Sequence, residues 1–262
     1  MKTLQTIRTI IKTINNALML LLLCAGAGIL LFPLWQTVEN SLPVRNYLDL
    51  AITAVDLPVL FPRYVVNSVF VAAVVTVLQL WFATPAAYAL AKVRFPGAKF
   101  LNRLIEVGLL FGGTALVANQ YVVLNKMQLI NTYPALILPA VSTSLAVFLL
   151  RQFIAQIPDE MLDAARLDGA SNAKICKWLI LPNIRPARVT AGIFAINAAW
   201  QFDGFKFIYS ENMKTIPAVL NRITAETGVA FAVAAVLMVV PMVIFAFSAG
   251  NIAKTMRYSG LK

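Results

Sequence analysis

Asn197, Trp200, Gln201 and Asp203 form the densest group of chemically able side chains in the sequence, and they lie at the end of an apolar run. Two amides and a carboxylate can pair with several hydroxyls, and an indole face packs well against the C–H surface of a sugar ring. Asn197, Trp200 and Gln201 are three and one residues apart. At about 100° per residue they share a sector of a helix, as the wall of a solute path requires. Trp200 has a second reading as an interfacial anchor, and Asn197 as glue between helices. Polar groups inside apolar runs are expensive and therefore informative. Gln79, Glu106, Asn119 and Gln120 stand out in the same way, and Gln120 is expected to join the path. Glu106, close to Arg103, reads instead as an interfacial ion pair.

This chemistry is recognition, not bond breaking. The chain has no His, the commonest metal ligand and general base. Cys24 lies in an apolar run and Cys176 in a polar insert, so neither a disulfide nor a metal site is expected. There is no Ser/Lys or Asp/Asp arrangement of an intramembrane enzyme and no G-x-x-x-x-G-K-[ST] loop. No catalytic residue, cofactor or metal is expected, and any ATP hydrolysis must come from another chain.

The elements that position these residues are membrane helices. Of 262 residues, 60% are hydrophobic and 13% charged, with mean hydropathy +0.78; a soluble domain carries about 25% charged residues. The net charge of +11 sits beside apolar runs with no nucleic-acid reading motif, so lipid rather than nucleic acid is the expected partner. Runs near the required length of about 20 residues are Ala17–Val38, Asn67–Ala91, Leu101–Val123, Thr132–Phe153, Val189–Phe207 and Val229–Asn251. Pro33, Pro85, Gly112-Gly113, Pro139 and Pro241 interrupt them, which a packed bundle tolerates. The first run continues past its small residues to Trp35, longer than a signal-peptide core. The expectation is an all-α membrane protein of about six spans, one domain over residues 1–262. Sixteen Lys and Arg fall on one set of connections and six on the other. The positive-inside rule then places residues 1–16, the loop 157–185 and the tail 252–262 in the cytoplasm.

That loop, between spans four and five, has a polar pattern of its own. Pro158 suits a first helical turn, with Asp159 and Glu160 near the positive end of the dipole. Met161–Asp168 is a good helix former, and Gly169 falls where a left-handed cap belongs. Ser171 can cap a second short helix ended by Pro182. Ala164 and Ala165 permit close approach, while Leu162 and Leu167 offer apolar knobs to a groove. The alternative is an amphipathic loop lying on lipid headgroups.

Asp163-Ala164-Ala165, then Asp168-Gly169-Ala170-Ser171, then Leu179, Leu181 and Pro182, resemble at the right spacing the "EAA" loop of ABC-transporter permeases. The chain resembles the carbohydrate-uptake, maltose-permease-like branch over nearly its whole length. Asn67-Ser68, Ala87–Ala91 with Arg94–Gly97, Asn131-Thr132-Tyr133, Leu138-Pro139, Phe148–Arg151, Trp200 and Thr215-Ile216-Pro217 carry that likeness. Asp163 stands where the family usually has Glu, Leu179 where it usually has Ile, and the segment Ser41–Tyr47 is short. The resemblance implies a pore subunit of a bacterial inner-membrane importer that moves a sugar or oligosaccharide by alternating access. Its implied partners are a second permease, two ATP-binding subunits gripping Leu162–Gly169 with Leu181 and Pro182, and an extracellular solute-binding protein. A non-sugar solute, or a secondary transporter, is the alternative; the halves show no internal repeat that the latter would carry.

Overall fold

The computed structural model describes residues 2–48, 58–110, 113–142, 144–204, 206–223 and 228–259. Gly112 and the end of the tail, with Lys262, lie outside the described residues. Among those described the chain is helical, with no strand. In order come α1 (Lys2–Ser41), α2 (Val44–Leu48), α3 (Phe61–Lys92), α4 (Ala98–Leu110), α5 (Gly113–Lys126), α6 (Tyr133–Val141) and α7 (Ser144–Ala155). Then follow α8 (Asp159–Leu167), α9 (Asn172–Lys174), α10 (Leu181–Asn183), α11 (Arg185–Gln201), α12 (Ile216–Leu220) and α13 (Gly228–Ser259).

Four stretches among the described residues are long and apolar enough to cross a membrane: Met19–Ser41, Phe61–Lys92, Tyr133–Ala155 and Gly228–Ser248. The second starts earlier than the apolar run implied, because Pro62 opens its first turn and places Asn67-Ser68 inside the helix. The expected third span falls on α4 and α5. The expected fifth is the 17-residue α11, which stops at Gln201 instead of Phe207. Phe202 turns extended, and Gly204 (φ +54°) approaches Leu136 so closely that a Cβ would collide with it. The chain therefore leaves the helix there into a loop.

Helix α3 is the centre of the bundle, packing against α6, α7 and α11. Close approach is permitted by small residues: Ala187, Ala191, Ala195 and Ala199 recur every four positions on α11, and all are buried. Such a small-residue stripe lets backbones come together where lipid supplies no hydrophobic drive between helices.

Polar side chains within this bundle answer backbone groups that the helices leave open. Pro241 has no N–H, so the Leu237 carbonyl of α13 loses its helical donor. The indole Nε1–H of Trp200 donates to that carbonyl at 3.0 Å. Asn67 donates to the carbonyls of Asn212 (2.8 Å) and Lys214 (3.0 Å), and accepts from the Tyr133 hydroxyl at 3.1 Å. Ser68 accepts from the Ile216 amide at 2.8 Å. Asn131, in a left-handed conformation (φ 62°), accepts from the amides of Tyr209 and Ser210. The loop after α11 is thus sewn to α3 and to the turn before α6.

Glu211 closes this seam. Its carboxylate accepts from Lys214 (2.7 Å), Arg222 (2.8 Å) and Tyr64 (3.2 Å). Burial pushes the Glu211 carboxyl up, but its hydrogen bonds to Lys214 and Tyr64 and the two cations outweigh that and hold it below the ordinary glutamate value. Glu106, expected beside Arg103, pairs instead with Arg151 at 3.1 Å, joining α4 to α7.

Two outcomes follow. Trp200→Phe keeps the ring but strands the Leu237 carbonyl, and should cost about 1–3 kcal/mol. Trp200→Ala should cost about 3–5 kcal/mol, both read as thermal unfolding of detergent-extracted protein. Because the native Glu211 carboxyl titrates below its unfolded value, its contribution is complete above about pH 4.3 and fades as pH falls through the native value. The protection of residues 206–223, taken as exchange relative to the intrinsic amide rate at each pH, should therefore fall only on the acid side, and Glu211→Gln should flatten that dependence.

Candidate functional site

At the other end of α3 the loop expected to dock a partner is a helical bracket. Pro158 immediately precedes α8 rather than lying inside it, and Asp159 and Glu160 occupy the first turn. The end of α8 is a complete left-handed cap. Gly169 has φ +77°, its amide bonds the Arg166 carbonyl, and the Ala170 amide reaches back to the Ala165 carbonyl. That pair of bonds is the Schellman arrangement, in which the residues flanking the turn also make an apolar contact. Ala165 and Ala170 are those residues, both half-buried against one core cluster. The small residues and the glycine of the motif are the residues of one turn. A Cβ on Gly169 would meet nothing within 4 Å, so its constraint is backbone conformation and not space.

Ser171 then caps the next helical stretch, its hydroxyl accepting from the Lys174 amide at 3.4 Å. Pro182 does not end this stretch. Residues Ile175–Ile180 widen instead into π-type turns, with the Leu181 amide reaching back to Cys176, and the helix passes on through α10. A proline ring clashes with the carbonyl four residues earlier, and widening of the preceding turn relieves that clash. Burial pushes the Cys176 thiol up.

The bracket has an inner and an outer side. Leu162 is 1% exposed, packed with Leu150, Ile154, Ile175 and Ile180, so it anchors α8 and is not a knob for a partner. Leu167 is 89% exposed and Trp178 73%, with Met161 also exposed. Trp178, absent from the expected set, carries the Lys177 ammonium 5.3 Å from its ring centre. Asp163 and Ala164 are exposed, Asp163 pairing with Arg166 at 2.8 Å, while Leu181 is half-buried and Pro182 and Asp168 are exposed. Two ties to α3 have no signal in the local pattern: the Tyr88 hydroxyl donates to Asn172 Oδ1 at 3.2 Å, and the Lys92 ammonium reaches Asp159 at 2.7 Å. That hydrogen bond and charge hold the Asp159 carboxyl below its ordinary value.

The polar residues expected along a solute path are not gathered at one place. Gln201 is exposed and lines a cavity of about 510 Å³ with Leu34, Leu237, Met238, Pro241 and Met242. Trp200, its neighbour, is 2% exposed with its N–H spent on Leu237, so the two do not share an open sector. Asn197 is half-buried. Asp203 lies beyond the helix and accepts from Asn221 at 3.1 Å. Gln120 lines a separate cavity of about 370 Å³ with Asn119, Met127, Leu138 and Ser142.

The arabinooligosaccharides transport system permease protein AraQ of Halalkalibacterium halodurans is 32% identical over 183 residues, 68% of this chain and 66% of that protein. The trehalose/maltose transport system permease protein MalG of Thermococcus litoralis is 29% identical over 219 residues, 80% of this chain and 77% of that one. In fold, the chain matches a crystal structure of a bacterial ABC transporter involved in the import of the acidic polysaccharide alginate. The TM-score is 0.73, over 92% of this chain and 96% of that one, at 20% identity. Residues 53–258 match the binding-protein-dependent transport system inner membrane component, and the chain belongs to that family.

Proposed function

We propose that the chain is one permease subunit of an ATP-driven importer that carries a sugar or oligosaccharide by alternating access. The observation that carries the mechanism is the bracket: a capped helix held to the bundle by Leu162 and presenting Leu167, Met161 and Trp178 outward. Such a surface suits a groove on an ATPase subunit. The sugar class rests on relatives named for arabinooligosaccharides and for trehalose and maltose. Six crossings are assigned to α1, α3, α4 with α5, α6 with α7, α11 and α13, with the bracket and both termini cytoplasmic by their basic residues. A second permease would complete the path, two ATPase subunits would dock on the brackets, and an extracellular binding protein would deliver solute. Asn197, Gln201, Asp203 and Gln120 are the proposed polar contacts along the path, with Trp200 holding its wall in place through Leu237.

In vesicles holding the assembled transporter, uptake of an arabinooligosaccharide or of maltose should require both ATP and the binding protein. Uptake driven by an ion gradient without the ATPase would overturn the reading. Leu167→Cys should cross-link to the ATPase subunit. Gly169→Asn, which tolerates the left-handed conformation, should keep most transport, whereas Gly169→Val should lose it, the strain being about 1–2 kcal/mol. Reporter fusions after Lys99 and Arg188 should read cytoplasmic and one after Met213 external; the reverse pattern would overturn the orientation.

A further inference from the structure

A lysine closing a long apolar helix ordinarily lays its stem along the helix and keeps its ammonium in water. Lys92, the last residue of α3, does not: its side chain is 9% exposed. The ammonium faces the Ala155 carbonyl at 3.3 Å, the Ile157 carbonyl at 2.6 Å and Asp159 Oδ1 at 2.7 Å. Ala155 ends α7 and Asp159 begins α8. The last carbonyls of a helix have no helical donor, so one cation caps α7 and grips the first residue of α8 together.

The surroundings give this contact mechanical weight. Next to it, between the end of α3 and α8, is a cavity of about 520 Å³ lined by Lys92, Arg94, Asp163, Arg166 and Asn172. Packed side chains do not fill that gap. Helix α8 is held at its middle by the buried Leu162 and at its N-terminal end by Lys92. Without the ammonium, α8 keeps its apolar pivot and loses the hold that fixes its direction. Asp159, the one of the three acceptors that lies on α8, is mostly exposed and binds weakly. The Ile157 carbonyl, two residues before α8, therefore fixes where the helix enters, while the Ala155 carbonyl ties the same ammonium to the end of α7.

We infer that Lys92 is the positioning residue that locks the coupling helix α8 to α3, so that displacement of the bracket is transmitted to the bundle centre and not absorbed by rotation of α8. This rests on the reading of the bracket as the ATPase contact. The test uses the complete transporter in vesicles, with ATP hydrolysis and sugar uptake measured in the same preparation and hydrogen exchange followed over residues 159–167.

Lys92→Met should leave the assembled complex and its ATPase activity in place, lower sugar moved per ATP by about tenfold, and speed exchange in α8. Lys92→Arg, which can donate to the same three acceptors, should recover most of the ratio, and Asp159→Asn should change it far less than Lys92→Met. An unchanged ratio and unchanged exchange in Lys92→Met would overturn the inference. So would a loss of uptake that only matches a loss of assembled complex, the mark of a structural role. Should Lys92→Met fail to assemble, Lys92→Gln is read against the same two criteria. If the wild type itself shows no ATP-dependent uptake while exchange in α8 still rises on substitution, the transporter reading fails and the mechanical tie stands.

Discussion

A helical protein in lipid has no water to satisfy backbone groups that its helices leave open, so each such group has to find a partner inside the chain. That constraint explains where this chain spends its polar side chains. The Leu237 carbonyl, freed by Pro241, takes the Trp200 indole. The carbonyls of Asn212 and Lys214 take Asn67, the Ile216 amide takes Ser68, and the amides of Tyr209 and Ser210 take Asn131. At the other end the carbonyls of Ala155 and Ile157 take Lys92. Trp200, which in isolation looks like a candidate for contact with solute, has its donor already engaged in this way.

The same contacts make α3 a strut. It has 32 residues, roughly 48 Å at about 1.5 Å per residue. Its first two turns carry Tyr64, Asn67 and Ser68, which hold the loop after α11, and its last two carry Tyr88 and Lys92, which hold the bracket. Between them its buried face meets the alanine stripe of α11. Small residues at that contact leave little slack, and packed interfaces of this kind shift between discrete arrangements more readily than they deform. One helix therefore ties the loop after α11 at one end to the bracket at the other.

What the sequence made legible divides along physical lines. Local devices could be read directly: Ala165, Gly169 and Ala170 spell a left-handed cap because its bonds connect residues five apart or fewer. Long apolar runs could be read as well, and the stretches at α1, α3, α6 with α7, and α13 fall where hydropathy put them. The fifth run was less faithful, because the extended turn at Phe202 depends on how closely Gly204 meets Leu136, a tertiary contact. The inner and outer faces of the bracket were not legible either. Leu162 and Leu167 are equivalent as letters, and only the cluster around Ile154 and Ile175 separates anchor from knob. Trp200 was read for its ring, while its N–H answers a proline 41 positions along the chain.

The apolar surface that remains points the same way as the family. The Met19–Ser41 stretch of α1 has none of its most apolar window buried within the chain, although α1 lies against α13. On α3, Val66, Phe70, Val77 and Trp81 stay exposed on the side turned away from the buried residues Val71, Val75 and Ala83. Lipid accepts such faces at no penalty, so their exposure alone says nothing about a partner. The polar groups are more informative. Gln201 opens onto an otherwise apolar cavity against α13, and Gln120 opens with Asn119 and Ser142 onto a second, mostly apolar one against α6. In hydrocarbon an amide so placed is unfavourable. It becomes tolerable where a water-filled path or a second subunit's polar groups complete the surroundings, which is the condition that a pore shared by two permease chains provides.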